Sequence, residues 1–216
     1  MTISVESLQD WITGHGFVDA GSQEANDLAV ELLEAIRGDG KPCDTRNIRE
    51  EFRQFTTEEI RDTLRESRSG MVSIFVNVLG DFNLATGVRN ANWFNTQDVR
   101  IVGRRQWDAR GAVGTHHYTE VIRQPGIMDV IATLREEGYR IVAAEITDAA
   151  VPLTSYAWHE KSSVIYGEEG AGLSDEVLAA VDDVVFIPGR GSVRSLNVGT
   201  TSGIFMYDYS KALGLI

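Results

Sequence analysis

The sequence predicts an α/β fold with a mostly parallel sheet covered by helices. Three observations predict it. Short apolar, β-branched runs recur from Met71 onward; amphipathic stretches separate several of them; and the runs are nearly continuous rather than alternating. Strands buried on both faces read that way, and parallel neighbours need a long crossover between them.

Residues 1–70 read as a helical extension without a β-rich run. "SQEANDLAVELLEAIRGDG" (22–40) places Leu28, Val30, Leu32, Leu33 and Ile36 near helical spacing and stops at Gly38 and Gly40. "TTEEIRDTLRESRSG" (56–70) starts at Thr56 or Thr57, with Glu59 three residues after Thr56 as in a capping box, and ends at Gly70. From residue 71 the predicted strands are "MVSIFVNVL" (71–79), "VRIVG" (99–103), "YRIVAAEI" (139–146), "SSVIYG" (162–167) and "DVVFIPG" (183–189). "QPGIMDVIATLREEG" (124–138) carries Ile127, Val130, Ile131 and Leu134 on one helical face, with Gly138 as its stop. "SDEVLAAVDD" (174–183) starts with Ser174 as a cap and acids in its first turn, which suits the helix dipole. Two parts follow: an extension over 1–70 and a larger domain over 71–216.

The net charge is −12, and residues 1–70 hold 15 acidic against 8 basic side chains. That balance argues against a sequence-blind polyanion binder. Only Lys41, Lys161 and Lys211 are lysines, so the positive charge is nearly all arginine. No apolar run reaches the ~18 residues that span a bilayer, "MTISVESLQDW" lacks a signal-peptide pattern, and Cys43 is the single cysteine. A cytoplasmic protein that does not enter a membrane is the expectation.

Polar or glycine-rich residues follow directly on three predicted strands: "GDFNLATGVRNANWF", "YGEEGAGLS" and "FIPGRGSVRSLNVGTTSGIF". In open parallel sheets, ligands bind beyond such strand ends. The standard phosphate loops are absent. Gly40-Lys41 is followed by Pro42 rather than Ser or Thr, and "GRGSVR" has Arg194 where a dinucleotide loop needs its third glycine. No zinc spacing joins Cys43 with His15, His116, His117 or His159, so no metal is expected; "GTTSG" lacks the serine of a hydrolase elbow. His116 and His117, being adjacent, are expected to point to different faces.

The three stretches share hydrogen-bonding groups: Asn83, Arg89, Glu169, Ser195 and Asn197. Such a set suits orientation of a polar substrate rather than covalent catalysis. Each also has a plain structural role open to it. Asn83 or Ser195 would serve as a helix cap, Arg89 as a surface ion-pair partner, Glu169 as a turn cap and Asn197 as a first-turn residue. Arg100, Arg104, Arg105 and Arg110 surround Trp107 in "VRIVGRRQWDAR". Arginine beside an aromatic suits RNA contact, and equally a solvated edge with a packed tryptophan.

In order, the three stretches resemble the motifs of the SpoU (TrmH-like) branch of the SPOUT RNA methyltransferases, over roughly residues 71–216. "NLATGVRNA" gives Asn83, Arg89 and Ala91; "GEEGAGL" gives Gly167, Glu169, Gly172 and Leu173; "IPGRGSVRSLNV" gives Ile187, Pro188, Ser195, Leu196 and Asn197. The sequence departs at Leu84-Ala85, where many members have Val-Gly-Ala, and at Phe94-Asn95, where they have Phe-Gly. The resemblance implies a C-terminal deep trefoil knot, a homodimer and S-adenosylmethionine as cofactor. It implies methyl transfer to a ribose 2′-hydroxyl of transfer or ribosomal RNA. An RNA-binding or assembly protein on the same fold that has lost catalysis is the alternative. By the same resemblance, Gly167, Ile187 and Leu196 line the cofactor pocket. Asn83, Arg89, Glu169, Ser195 and Asn197 surround the reaction.

Overall fold

The computed structural model describes residues 5–16, 18–19, 22–37, 43–78, 80–103 and 107–216. They form two compact units, Met1–Thr63 and Leu64–Ile216. The first holds α1 (Val5–Gly14) and α2 (Gln23–Arg37), whose apolar faces meet around Val5, Ile12, Ala29 and Leu33, with Cys43 buried among them. Helix α3 (Thr57–Glu66) starts with the capping box. The Thr56 N–H donates to Glu59 Oε2 at 2.7 Å, and the Glu59 N–H donates to Thr56 Oγ1 at 3.2 Å. The end of α3 belongs to the second unit. Asn95 Nδ2 donates to the Leu64 carbonyl at 3.0 Å and to Ser67 Oγ at 3.1 Å. The larger unit therefore begins before residue 71.

The second unit runs β1 (Met71–Val76), α4 (Asp81–Trp93), β2 (Asp98–Val102), β3 (Val121–Gln124), α5 (Ile127–Glu136), β4 (Arg140–Ala144), β5 (Val151–Pro152), β6 (Ser162–Tyr166), α6 (Asp175–Ala180), β7 (Asp183–Phe186) and α7 (Val198–Ala212). The seven strands lie in the order β3-β2-β1-β6-β4-β7-β5, and every pair is parallel. All five strands read from the sequence are present. The two it did not show, β3 and β5, are the sheet edges. Short edge strands lose one covered side, and Pro152 is tolerated there because an edge needs no ladder donor on its outer side.

Alternate residues of the central strands face two separate cores. Met71, Phe75, Val164 and Tyr166 face one core with Phe205 and Met206 of α7 and Leu84 and Val88 of α4. Val72, Ile74, Ile141 and Ile165 face the other, which α5 and α6 cover with Val130, Leu134 and Val177. Helix α4 approaches β1 closely: a Cβ on Gly87 would lie 2.3 Å from the Phe75 ring, which stacks on Tyr166 at 5.0 Å. No helix among the described residues is long and apolar enough to cross a membrane.

At the amino ends of the strands, the start of β7 is tied to β4. Arg140 grips Asp183 with two hydrogen bonds of 2.7 and 2.9 Å, and the Tyr156 hydroxyl donates to the same carboxylate at 2.8 Å. The Arg140 bond, with Tyr156 assisting, holds the Asp183 carboxyl below its ordinary value against a smaller opposing effect of burial. A carboxyl depressed in the folded state contributes stability that is fully present above the unfolded value and is lost as pH falls through the folded one. Asp183→Asn is therefore expected to cost roughly 1–2 kcal/mol at neutral pH, discounted for partial exposure. The deficit relative to the parent chain should shrink below about pH 4, measured by urea unfolding across pH.

Candidate active site

Each predicted motif follows a central strand at its carboxyl end. After β1, Gly80 is the N-cap of α4 and Asn83 sits in the first turn, so Asn83 is not the cap. After β6, the turn Gly167–Leu173 closes with the Gly172 N–H donating to the Glu168 carbonyl at 2.9 Å. After β7, the exposed segment 188–197 leads into α7. Asn197, rather than Ser195, caps that helix, accepting from the Thr200 N–H at 3.1 Å.

Three predicted residues meet in one directed chain. Asn197 Nδ2 donates to Asn83 Oδ1 at 2.8 Å, and Asn83 Nδ2 donates to Glu169 Oε1. The carboxylate lies at the amino end of α4, where the helix dipole favours negative charge. A Cβ on Gly80 would come within 2.7 Å of Asn83 Nδ2, so glycine at the cap leaves the amide its place. Ser195 is exposed two residues before Asn197. Arg89 is not in this chain. Six residues past Asn83, it sits about 9 Å along α4 and roughly 120° around it. It shares an exposed stripe with Phe82, Thr86 and Trp93, and it has no ion-pair partner among the described residues.

Of the residues singled out for a cofactor, Gly167 is fixed by sterics. A Cβ there would lie 2.6 Å from the Gly172 backbone. Ile187 is partly buried against the core, whereas Leu196 is 47% exposed. Backbone beside Gly189 and Gly191 opens onto empty space.

The arginine cluster is rearranged. Arg100 is only 8% exposed and pairs with Asp98 at 3.2 Å inside β2, so it does not face RNA; its place in a central strand turns it inward. Burial pushes the Asp98 carboxyl up from its ordinary value although Arg100 pulls the other way. Arg104 and Arg105 lie outside the described residues. Arg110 is exposed but grips Asp108. Trp107 packs against the core. His116 and His117 do not diverge as expected: in a tight 3-10 turn their rings lie 4.1 Å apart, with Trp107 edge-on to His116.

Sequence reasoning missed Glu145, at the carboxyl end of β4 between β6 and β7. Its carboxylate accepts the Leu173 N–H at 3.1 Å and the Ile146 N–H at 2.9 Å. The only signal was a single acid next to the end of the apolar run "YRIVAAEI". It also missed Arg190 and Arg194 on the exposed segment before α7. Among the described residues, no group of three or more His, Cys, Asp or Glu is placed to hold a metal ion.

Comparison with protein families matches residues 70–207 to the SpoU rRNA Methylase family, well over half of the chain. The chain belongs to that family. Its relatives include the tRNA (guanosine(18)-2′-O)-methyltransferase of Escherichia coli, 29% identical over 132 residues, 60% of this chain and 58% of that one. An uncharacterized tRNA/rRNA methyltransferase of Archaeoglobus fulgidus is 26% identical over 204 residues, 88% of each chain. The chain thus spans under two thirds of the E. coli relative. Among solved structures, the A. aeolicus TrmH/SpoU tRNA modifying enzyme superposes with a TM-score of 0.67 at 18% identity, over 74% of this chain and 83% of that one. An AdoMet-bound rRNA methyltransferase from Sinorhizobium meliloti gives 0.62 at 23% identity, over 71% and 60%. The departure at Asn95 is explained by its backbone. Asn95 has φ +46, the left-handed conformation a glycine would take there and one that asparagine tolerates.

The Asn83 link is testable without assaying activity. Asn83→Asp sets a second carboxylate against Glu169, so at pH 7 it should be less stable than Asn83→Ala by roughly 1 kcal/mol. Repulsion raises the carboxyl values in the folded state, so the difference should vanish as pH falls towards 4 and the pair protonates. Denaturant unfolding of the two variants at both pH values measures it.

Proposed function

We propose that this chain transfers a methyl group from S-adenosylmethionine to a ribose 2′-hydroxyl of transfer or ribosomal RNA. The observation that carries the reading is the hydrogen-bonded chain Asn197–Asn83–Glu169. Three separate motifs of a methylase family meet at one set of strand ends, with the exposed Arg89 farther along the same helix. The residues suit an adenosyl group: exposed Leu196 and half-buried Ile187 offer apolar contact, and open backbone at 189–191 and at Gly170 offers polar partners. When bound, the cofactor supplies an electrophilic methyl group on a sulfonium.

The protein's part is positioning. A 2′-hydroxyl is a weak nucleophile that loses its proton as it attacks. The Glu169 carboxylate, whose orientation is set by Asn83, and the exposed hydroxyl of Ser195 suit the polar edge of a ribose. Arg89 suits the adjacent phosphate and the charge developing on oxygen. A guanidinium does not serve as a base in proteins, so the proton leaves through a phosphate oxygen or water. In-line alignment supplies much of the rate.

A homodimer with a C-terminal knotted segment completes the reading. What supports the dimer is an exposed aromatic face on adjoining helices, with Trp93 of α4 78% exposed and Tyr207 of α7 51% exposed beside Phe94. Exposed aromatic side chains of that size would suit burial against a second copy of the chain.

Incubation with labelled cofactor and total RNA, followed by mapping, should place label on a ribose 2′-oxygen; label on a base would overturn the acceptor. Arg89→Ala should lower transfer by about 100-fold or more while cofactor affinity by calorimetry stays within about threefold. Equal loss of both would give Arg89 a folding role instead. Trp93→Asp should shift the chain from dimer to monomer in light scattering; an unchanged mass would remove α4 from the interface.

A further inference from the structure

We infer that Glu145 is a positioning residue, whose carboxylate sets the Gly167–Leu173 turn and thereby the place of Glu169. It rests on the transferase reading only for its kinetic consequence. The carboxylate takes main-chain donors from two loops at once: Leu173 from the turn after β6, and Ile146 from the loop after its own strand. β4 lies between β6 and β7, so this one side chain spans the centre of the strand ends that carry the motifs.

The turn it holds has little slack. Gly170 and Gly172 have φ of +98° and +70°, where side chains are strained. A Cβ on Gly172 would lie 2.5 Å from Glu145 Oε2, and a Cβ on Gly167 would lie 2.6 Å from the Gly172 backbone. The turn is therefore packed closely against both the start of its own loop and the Glu145 carboxylate. Glu169 projects from it to Asn83. A carboxylate accepting backbone N–H groups makes charge-assisted bonds, stronger than neutral ones, and so holds the turn more firmly than a neutral acceptor would. Without it, the Leu173 N–H loses its acceptor and the left-handed Gly172 loses its packing. Glu169 would then sample positions away from Asn83, and a carboxylate displaced by an ångström costs rate rather than substrate affinity.

Hydrogen exchange and kinetics on the full chain test this together. In Glu145→Ala, exchange at residues 168–173 should speed up about tenfold or more while the sheet core stays protected. The kcat for RNA should fall about tenfold or more, with KM for RNA within about twofold. Glu145→Gln keeps an acceptor for Leu173 and should recover most of both. If Glu145→Ala fails to fold, Glu145→Asp, whose shorter side chain draws the carboxylate back from the Leu173 N–H, should reproduce the faster exchange and the kcat loss in a folded protein. Unchanged exchange at 168–173 would overturn the inference, as would faster exchange with unaltered kcat. If the parent chain methylates no RNA, the functional reading fails, and the exchange arm alone decides whether Glu145 holds the turn.

Discussion

The site depends on one side chain using both ends of its amide. Asn83 donates to Glu169 and accepts from Asn197, whose own oxygen caps α7. The direction of the chain is forced, because a carboxylate at one end accepts and a backbone N–H at the other donates. Donors aligned in one sense polarise one another. A hydrophobic residue at 83 would leave both partners without their bonds, and aspartate would supply no donor. The requirement is for an amide, and it follows from what stands on either side.

That amide can bridge the two loops only because α7 is brought back to α4. Strand β7 lies three positions from β1 in the sheet, yet the helix that follows it packs beside the helix that follows β1. The contact is made close by small residues and one more amide. Asn90 Nδ2 donates to the Gly199 carbonyl at 2.9 Å and to Ser202 Oγ at 3.2 Å, and a Cβ on Gly203 would come within 3.0 Å of the same nitrogen. Helix α4 thus divides its circumference. Val88 and Gly87 face the sheet, Asn90 faces α7, Asn83 faces the loops, and Phe82, Arg89 and Trp93 stay exposed. Its apolar moment is weak because three of its sides have partners.

Much of this was legible in the sequence, for identifiable reasons. Central strands announce themselves because both faces are buried, so every residue of "MVSIFV" is apolar or small. Edge strands carry half that constraint, and "VIRQ" and "VP" read as loop. The site residues were visible as three motifs, but their connection was not: a motif records which groups are present, whereas the pairing of Asn83 with Asn197 joins residues 114 apart through the crossover. Glu145 was hidden because a lone acid at a strand end has no pattern. Arg100 was misjudged because proximity in sequence to other arginines says nothing about the face of the strand it occupies. Its neighbour Asp98, two residues earlier on the same face, was the clue to a buried pair.

An acidic chain with RNA as its proposed partner poses an electrostatic question that the distribution of charge answers. The excess of acid is heaviest in residues 1–70, whereas Arg89, Arg190 and Arg194 are exposed on the elements that carry the site. Those three lack ion-pair partners among the described residues. Arg110 is partnered by Asp108, whose carboxyl the arginine's hydrogen bonds hold down to about 2. Cations already neutralised by a neighbour offer little to a phosphate, while Arg89, Arg190 and Arg194, exposed on the elements that carry the site, would be available to one. On this reading a few arginines would position one stretch of RNA backbone, and the net charge of −12 would suppress broad, sequence-blind adhesion. Selectivity would then come from the shape around Asn83, Glu169 and Ser195 rather than from bulk attraction.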